Sequence, residues 1–443
     1  MTDTVHEPPA PPVVGNAPRM AADPLRFLVG VQAAYGDRYQ LVRVSPSVGQ
    51  ELTVVTDPEL VHEVLADRER FRRPTVVASS QRRQGLLSSD GELWERQRSV
   101  LQPEFVSRRL FEYAATAGES VAEMTDEWPA EGELELFEET SIMTMRVITR
   151  SLFDQDAGRE RARRVHEAVC RQETEFELGV DDLLLPERLQ SGPSEEFVAA
   201  NETLDEVATE FIDAHFDREN PPKNVLSALA EAQADPDVEL SENELLDETV
   251  LFMTAGQTTT ALTVSYAFYW LSRNSAARER VRAEAEAVLD GDPPGWDDLD
   301  DLSYTERVVR ETLRLTPAVW NVTREPRESV RLAGVPFEEG DPLLLPSYAH
   351  HRDPSVWDDP EAFRPERWAG EVSRSEDSYF PFGSGPRVCI GRQIALLEAQ
   401  FALAHVLQEY DLTVVDADAG LDLQPGVTLQ PEAPLRASVT RLD

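Results

Sequence analysis

The chain has 443 residues, with 83 Asp and Glu against 42 Lys and Arg, for a formal net charge of −41. That charge repels phosphate backbones and argues against nucleic-acid binding. Its two cysteines, Cys170 and Cys389, make no disulfide framework, and the acidic, proline-rich start carries no basic and apolar signal segment, so a reducing cytoplasm is expected.

Length alone would suggest two or three domains, but no linker divides the chain. Residues 1–14 read as a Pro-rich N-terminal tail and residues 15–443 as a single domain. Residues 39–44 and 51–56 predict two strands around a turn. Asp57 then caps a helix over 59–67, with Pro58 in the first position. Residues 72–90 read as loop. From 92 to 282 the periodicity is mostly helical, interrupted near Pro129, Pro186, Gly192-Pro193 and Pro221-Pro222.

Residues 249–272 carry no charge. Gln257, Thr258, Thr259 and Thr260 stand at the centre of that run, where polar groups would be costly in lipid, so a buried core helix is expected rather than a membrane span. Residues 290–300 read as a surface loop and 305–316 as a helix. Residues 330–345 predict strand, turn, strand, with Gly340-Asp341 at the turn. After Gly391, Ile394, Leu397, Phe401 and Ala404 recur at three- and four-residue steps, which predicts an amphipathic helix. Residues 412–442 return to short strands. The fold class expected is mainly α with a minor β region.

The acids are dispersed along the whole chain, and Lys223 is its one lysine. Self-repulsion of that size is screened at molar salt, where the Debye length is about 3 Å. A halophilic, high-salt cytoplasm is therefore expected.

Four groups of residues carry chemistry. The first is Phe382-Gly383-Ser384-Gly385-Pro386-Arg387-Val388-Cys389-Ile390-Gly391. A lone cysteine is usually a buried structural residue. Here it stands in a glycine-bracketed loop, two residues after an arginine and just before a helix, a setting that favours a thiolate and hence a metal ligand. The second is Trp94 and Arg98, four residues apart and so on one helix face. The third is Ala255-Gly256-Gln257-Thr258-Thr259-Thr260 in the charge-free helix. Its glycine removes bulk beside a ligand, and its threonines can bond the i−4 carbonyl and bend the helix. The fourth is Glu311 with Arg314, on one helix face, followed downstream by Arg367 in 359–368. His350-His351 are adjacent and point in different directions, so a metal pair is not expected there.

Taken in this order, the motifs resemble the cytochrome P-450 family over nearly the whole chain after the tail. The resemblance implies a triangular helical prism with small β-sheets. It also implies haem b (iron protoporphyrin IX) held by the Cys389 thiolate, with Phe382 and Arg387 in the ligand loop. Trp94, Arg98 and, more loosely, Arg324 match positions that meet the haem propionates. Glu311, Arg314 and Arg367 match a buried structural triad beneath the ligand loop. Thr259 matches the threonine that helps deliver protons to iron-bound oxygen, while Thr258 stands where the family usually has Asp or Glu, leaving water, Gln257 or another route for protons.

The implied reaction inserts one oxygen atom from O2 into a lipophilic small molecule, with a fatty acid or isoprenoid favoured. Electrons would come from a ferredoxin or flavodoxin with its reductase, and a monomer is expected. Expected pocket-lining segments are 74–87, 170–189, 251–260, 317–322 and 432–434. Two other classes remain open on these residues: a peroxide-using or isomerase-type relative, and a haem-binding sensor.

Overall fold

Asp57 accepts from the backbone N–H groups of Glu59 and Leu60, and Pro58 takes the first helical position. Helix α1 (Pro58–Ala66) thus starts where its capping chemistry dictates. The computed structural model describes residues 5–9, 15–47, 50–74, 83–173, 175, 193–235, 240–370 and 377–442. The expected breaks at Pro186 and Gly192 lie outside them.

Seven further helices position the site: α2 (Gly91–Leu101), α3 (Ser107–Glu127), α4 (Leu136–Phe153), α5 (Gly158–Glu173), α6 (Glu242–Ser272), α7 (Ser303–Leu315) and α8 (Arg392–Glu409). Helix α6 is the axis. A capping box, with Ser241 Oγ accepting from Glu244 N and Glu244 Oε2 accepting from Ser241 N, fixes its start. From Thr260 to Tyr269 every residue of it is buried, as expected for a core helix enclosed by others. Among the described residues no helix is long and apolar enough to cross a membrane.

Helix α4 lies along α6, and hydroxyls stitch the two together. Thr140 Oγ1 reaches Ala261 O at 3.2 Å and Ser265 Oγ at 3.0 Å, and Thr144 Oγ1 donates to Gln257 O at 3.1 Å. The main core joins apolar faces of α3, α4, α6, α7 and α8, through residues such as Val121, Met143, Leu262, Val308 and Phe401.

The sheets are small. A six-stranded sheet has the order β1-β2-β3-β9-β6-β4, built from β1 (Val5–His6), β2 (Leu41–Ser47), β3 (Gln50–Val55), β9 (Leu343–Leu345), β6 (Val322–Pro326) and β4 (Phe71–Arg72). The Pro-rich start is therefore not wholly a tail. Val5 and His6 pair in parallel with Leu41 and Val42, and the His6 ring stacks on Tyr39 at 4.5 Å.

Residues 330–345 also differ from expectation. The hairpin is β7 (Val330–Leu332) with β8 (Val335–Phe337), turning at Ala333-Gly334. Strand β9 leaves it to pair with β3 and β6. A three-stranded sheet pairs β13 (Arg436–Arg441) with β10 (Tyr410–Val414) and with β5 (Glu131–Glu135). Glu-Gly-Glu-Leu-Glu lacks β-branched residues and was not readable as a strand; pairing with β13 creates it.

Candidate active site

The Cys389 loop folds back on itself. Cys389 N donates to Phe382 O at 3.0 Å, and Phe382 packs against the main core. Gly385 has φ +70, and a Cβ there would lie 2.5 Å from Leu65 O and 2.8 Å from Ala66 Cα. Its missing side chain admits the end of α1. Cys389 is accessible, yet protein crowds it closely enough that burial pushes its thiol up. The Gly391 N–H, Arg98 and Arg392 pull the other way and do not prevail. Protein groups alone leave the thiol above its ordinary value, and a coordinating metal deprotonates such a sulfur.

Beneath the loop lies the expected triad. Glu311 Oε1 accepts from Arg314 Nη2 at 2.8 Å, from Arg367 Nε at 2.9 Å and from Arg364 N at 2.9 Å. Its Oε2 accepts from Arg314 Nε at 3.0 Å and Trp368 Nε1 at 3.0 Å. Glu311 and Arg314 are fully buried, so this density of partners is what makes burial of the charges tolerable. Arg314 Nη1 also donates to His351 O at 2.8 Å, and His351 Nε2 accepts from Phe380 N at 3.1 Å. The second residue of the His350-His351 pair is therefore the strut between triad and loop.

Above the loop the arginines divide into two sets. Arg98 Nη1 donates to Val388 O at 3.3 Å, next to Cys389. Arg73, Arg324 and Arg387 form a second cluster around Asp90. Arg387 donates to Asp90 Oδ1 at 2.8 Å and Ser89 O at 2.9 Å, and lies over the Trp94 ring at 4.6 Å. Arg327 takes the other Asp90 oxygen at 2.6 Å. Both oxygens of that carboxylate are thus engaged.

Arg73 and Arg324 remain short of anions. Among the described residues Arg73 Nη1 is buried without a partner, and burial together with Arg387 pushes Arg73 down to about 10. Burial, Arg73 and Arg387 push Arg324 down to about 9. Arginine keeps its proton in proteins, so both guanidiniums stay charged where burial disfavours charge, a cost that a nearby anion offsets. A flat cofactor with two carboxylates near a cysteine sulfur fits this donor set. Arg73 was missed in the sequence; its only signal is the Arg72-Arg73-Pro74 run at the end of β4.

On α6, Thr259 is partly exposed and its Oγ1 donates to Ala255 O at 2.7 Å, while Thr258 is buried. Gly256 meets Ile148 of α4, whose Cδ1 would lie 2.7 Å from an added Cβ. The glycine admits a helix rather than a ligand, contrary to expectation. Gln257 Nε2 donates to Ser141 O at 3.1 Å and Ala162 O at 3.2 Å. It faces α4 and α5, so the structure does not support it as a proton route. The expected lining segments 74–87 and 170–189 lie mostly outside the described residues.

A helical fold thus carries an accessible cysteine on a loop, a buried ion-pair cluster tied to the start of that loop through His351, and two buried arginines gathered around Asp90. A family model described as Cytochrome P450 matches residues 5–437. Cyclooctatin synthase of Streptomyces melanosporofaciens is 30% identical over 430 residues, covering 95% of this chain and 90% of the relative. Pentalenene oxygenase of Streptomyces avermitilis is 30% identical over 424 residues, 93% of this chain and 92% of the relative. Cyclooctat-9-en-7-ol 5-monooxygenase of Streptomyces melanosporofaciens is 30% identical over 434 residues, 95% and 90%. The chain belongs to the cytochrome P450 family and is an oxidoreductase of the monooxygenase type, with a haem whose iron takes a cysteine thiolate.

Proposed function

We propose that this chain holds haem b on Cys389 and oxygenates a lipophilic small molecule, an isoprenoid skeleton ahead of a fatty acid. The observation that carries the reading is the accessible Cys389 two residues after Arg387, with the buried Arg73 and Arg324 gathered on Arg387 and Asp90. The names of two relatives specify pentalenene and cyclooctat-9-en-7-ol, whose suffixes mark unsaturated carbon skeletons, and this supports the isoprenoid class. The haem supplies dioxygen activation and oxygen-atom transfer.

The chain's own residues bind, orient and move protons. Arg73 and Arg324 hold the two carboxylates, with Arg98 nearer the sulfur. Arg387 fixes Trp94 and Asp90, and so acts through them. The Thr259 hydroxyl, bonded to Ala255 O, would hold a proton for the chemistry that the haem supplies. Thr258 brings a hydroxyl where the family has an acid, so proton delivery runs through hydroxyls and water.

Electrons come from a separate ferredoxin or flavodoxin with its reductase, to a cytoplasmic monomer in a single domain. The charge of −41 is read as adaptation to high salt. Unfolding in a KCl series checks this, since full stability at low salt would refute it. The reading as a whole is tested by adding candidate isoprenoids and fatty acids to the ferric holoprotein. A low-spin to high-spin shift, followed by oxygenated product with reductant and O2, is expected. Turnover with peroxide alone would replace it with the peroxide-using class.

A further inference from the structure

Helix α1 belongs to none of the motifs above, yet it meets the ligand loop at three points. His62 Nδ1 lies 2.9 Å from Ser384 Oγ, and His62 Nε2 lies 2.9 Å from Asp377 O. A carbonyl only accepts, so Nε2 carries the hydrogen and donates to Asp377 O. Nδ1 and the Ser384 hydroxyl share the second hydrogen bond, so one ring serves both partners. The second point is Gly385, seated against Leu65 O and Ala66 Cα. The third is Phe380, edge-on to the His62 ring, with centroids 6.3 Å apart at 74°.

His62 therefore pins both ends of the stretch from Asp377 to Ser384. Phe380, inside that stretch, is separately hung from His351. The end at Ser384 opens the 3-10 turn Gly385–Arg387, which leads directly to Cys389. A helix is rigid and a loop is not, so tying the loop to α1 at these points removes most of the freedom that would let the sulfur drift.

We infer that His62 is a positioning residue for Cys389: its two hydrogen bonds lock the ligand loop onto α1 and set where the sulfur stands. The inference rests on the haem-thiolate reading above. His62 touches neither cofactor nor substrate and acts through Ser384 and Asp377.

The test uses purified holoprotein and the carbon monoxide complex of its reduced form. A red-shifted Soret band marks intact sulfur ligation, and an unshifted band marks its loss. H62A is expected to raise the ratio of unshifted to shifted band about fivefold for each hydrogen bond removed, and S384A about fivefold for its one bond. The double variant should be no worse than H62A, because the two residues share one bond. V61A, which thins the packing of α1 at a fully buried position, should lower the melting temperature and leave the ratio unchanged.

A wild-type ratio in S384A overturns the inference, even if H62A fails to fold. So does a change in V61A as large as in H62A, since the effect would then be general destabilisation. A wild-type protein with no shifted band overturns the haem-thiolate reading and this inference with it.

Discussion

His351 joins two machines in one residue: its ring Nε2 accepts from the Phe380 backbone N–H at 3.1 Å, and its carbonyl accepts from Arg314 Nη1 at 2.8 Å. Through it the buried Glu311–Arg314–Arg367 cluster holds the start of the Cys389 loop. The triad is therefore tied to the loop through a single residue.

Replacing Glu311 by Gln leaves Arg314 and Arg367 buried without their carboxylate. Breaking a buried ion pair from one side costs about 3–5 kcal/mol. Urea unfolding of the holoprotein should show a loss of that order, accompanied by faster haem loss. A change under about 1 kcal/mol would mean that the cluster behaves like a surface ion pair.

Among the described residues Arg73 has a buried Nη1 without a partner, and the carboxylate role proposed for it has a measurable consequence. A charge-assisted hydrogen bond contributes about 1.5–3 kcal/mol. R73A should therefore release haem to an excess of a haem-scavenging protein roughly ten- to a hundredfold faster than wild type. Release at the wild-type rate would remove Arg73 from the cofactor site.

Thr259 donates to Ala255 O, and T259A removes the hydroxyl without removing volume beyond a methyl and an oxygen. Substrate-induced spin shift and sulfur ligation should remain. Product formed per electron consumed should fall by about a hundredfold, the lower end of the usual contribution from positioned proton transfer. Unchanged coupling would move the proton route elsewhere on α6.

Glu248, fully buried on α6, accepts from Leu86 N at 2.9 Å. Burial raises its pKa from 4.5 to about 8, with Asp247 and Glu244 adding to the rise. The folded chain thus holds a proton that the unfolded chain releases above pH 4.5. Stability contributed by this site is present at low pH and falls as pH rises from about 4.5 to about 8, by roughly 1.4 kcal/mol per pH unit. E248Q keeps a neutral acceptor for Leu86 N. Its stability should be flatter across that window and higher than wild type at pH 8, as read from denaturant unfolding at each pH. Parallel curves for the two proteins would contradict the assignment.

The Glu311–Arg314 pair and the Cys389 loop were legible because their residues sit close together in sequence, whereas Arg367, 56 positions from Glu311, joined them only through the family resemblance. The start of α1 was legible for the same reason, since Asp57 and Pro58 act locally. What the sequence did not disclose was direction. Gly256, Gly385 and Gln257 were recognised, but each meets a packed helix. A helical period says which residues share a face and not which neighbour that face meets. Arg73 and His62 were invisible for a related reason. Their partners are long-range: Arg73 meets Arg324 across the fold, and His62 meets Ser384 322 positions away. Strand β5 exists only because β13 pairs with it.

The central claim is that Cys389 supplies the sulfur ligand of a haem. The carbon monoxide difference spectrum of the reduced protein tests it most directly. Wild type is expected to give the red-shifted, thiolate-type Soret band, and C389A to lose that band. Absence of the band in wild type, or its persistence in C389A, would contradict the account.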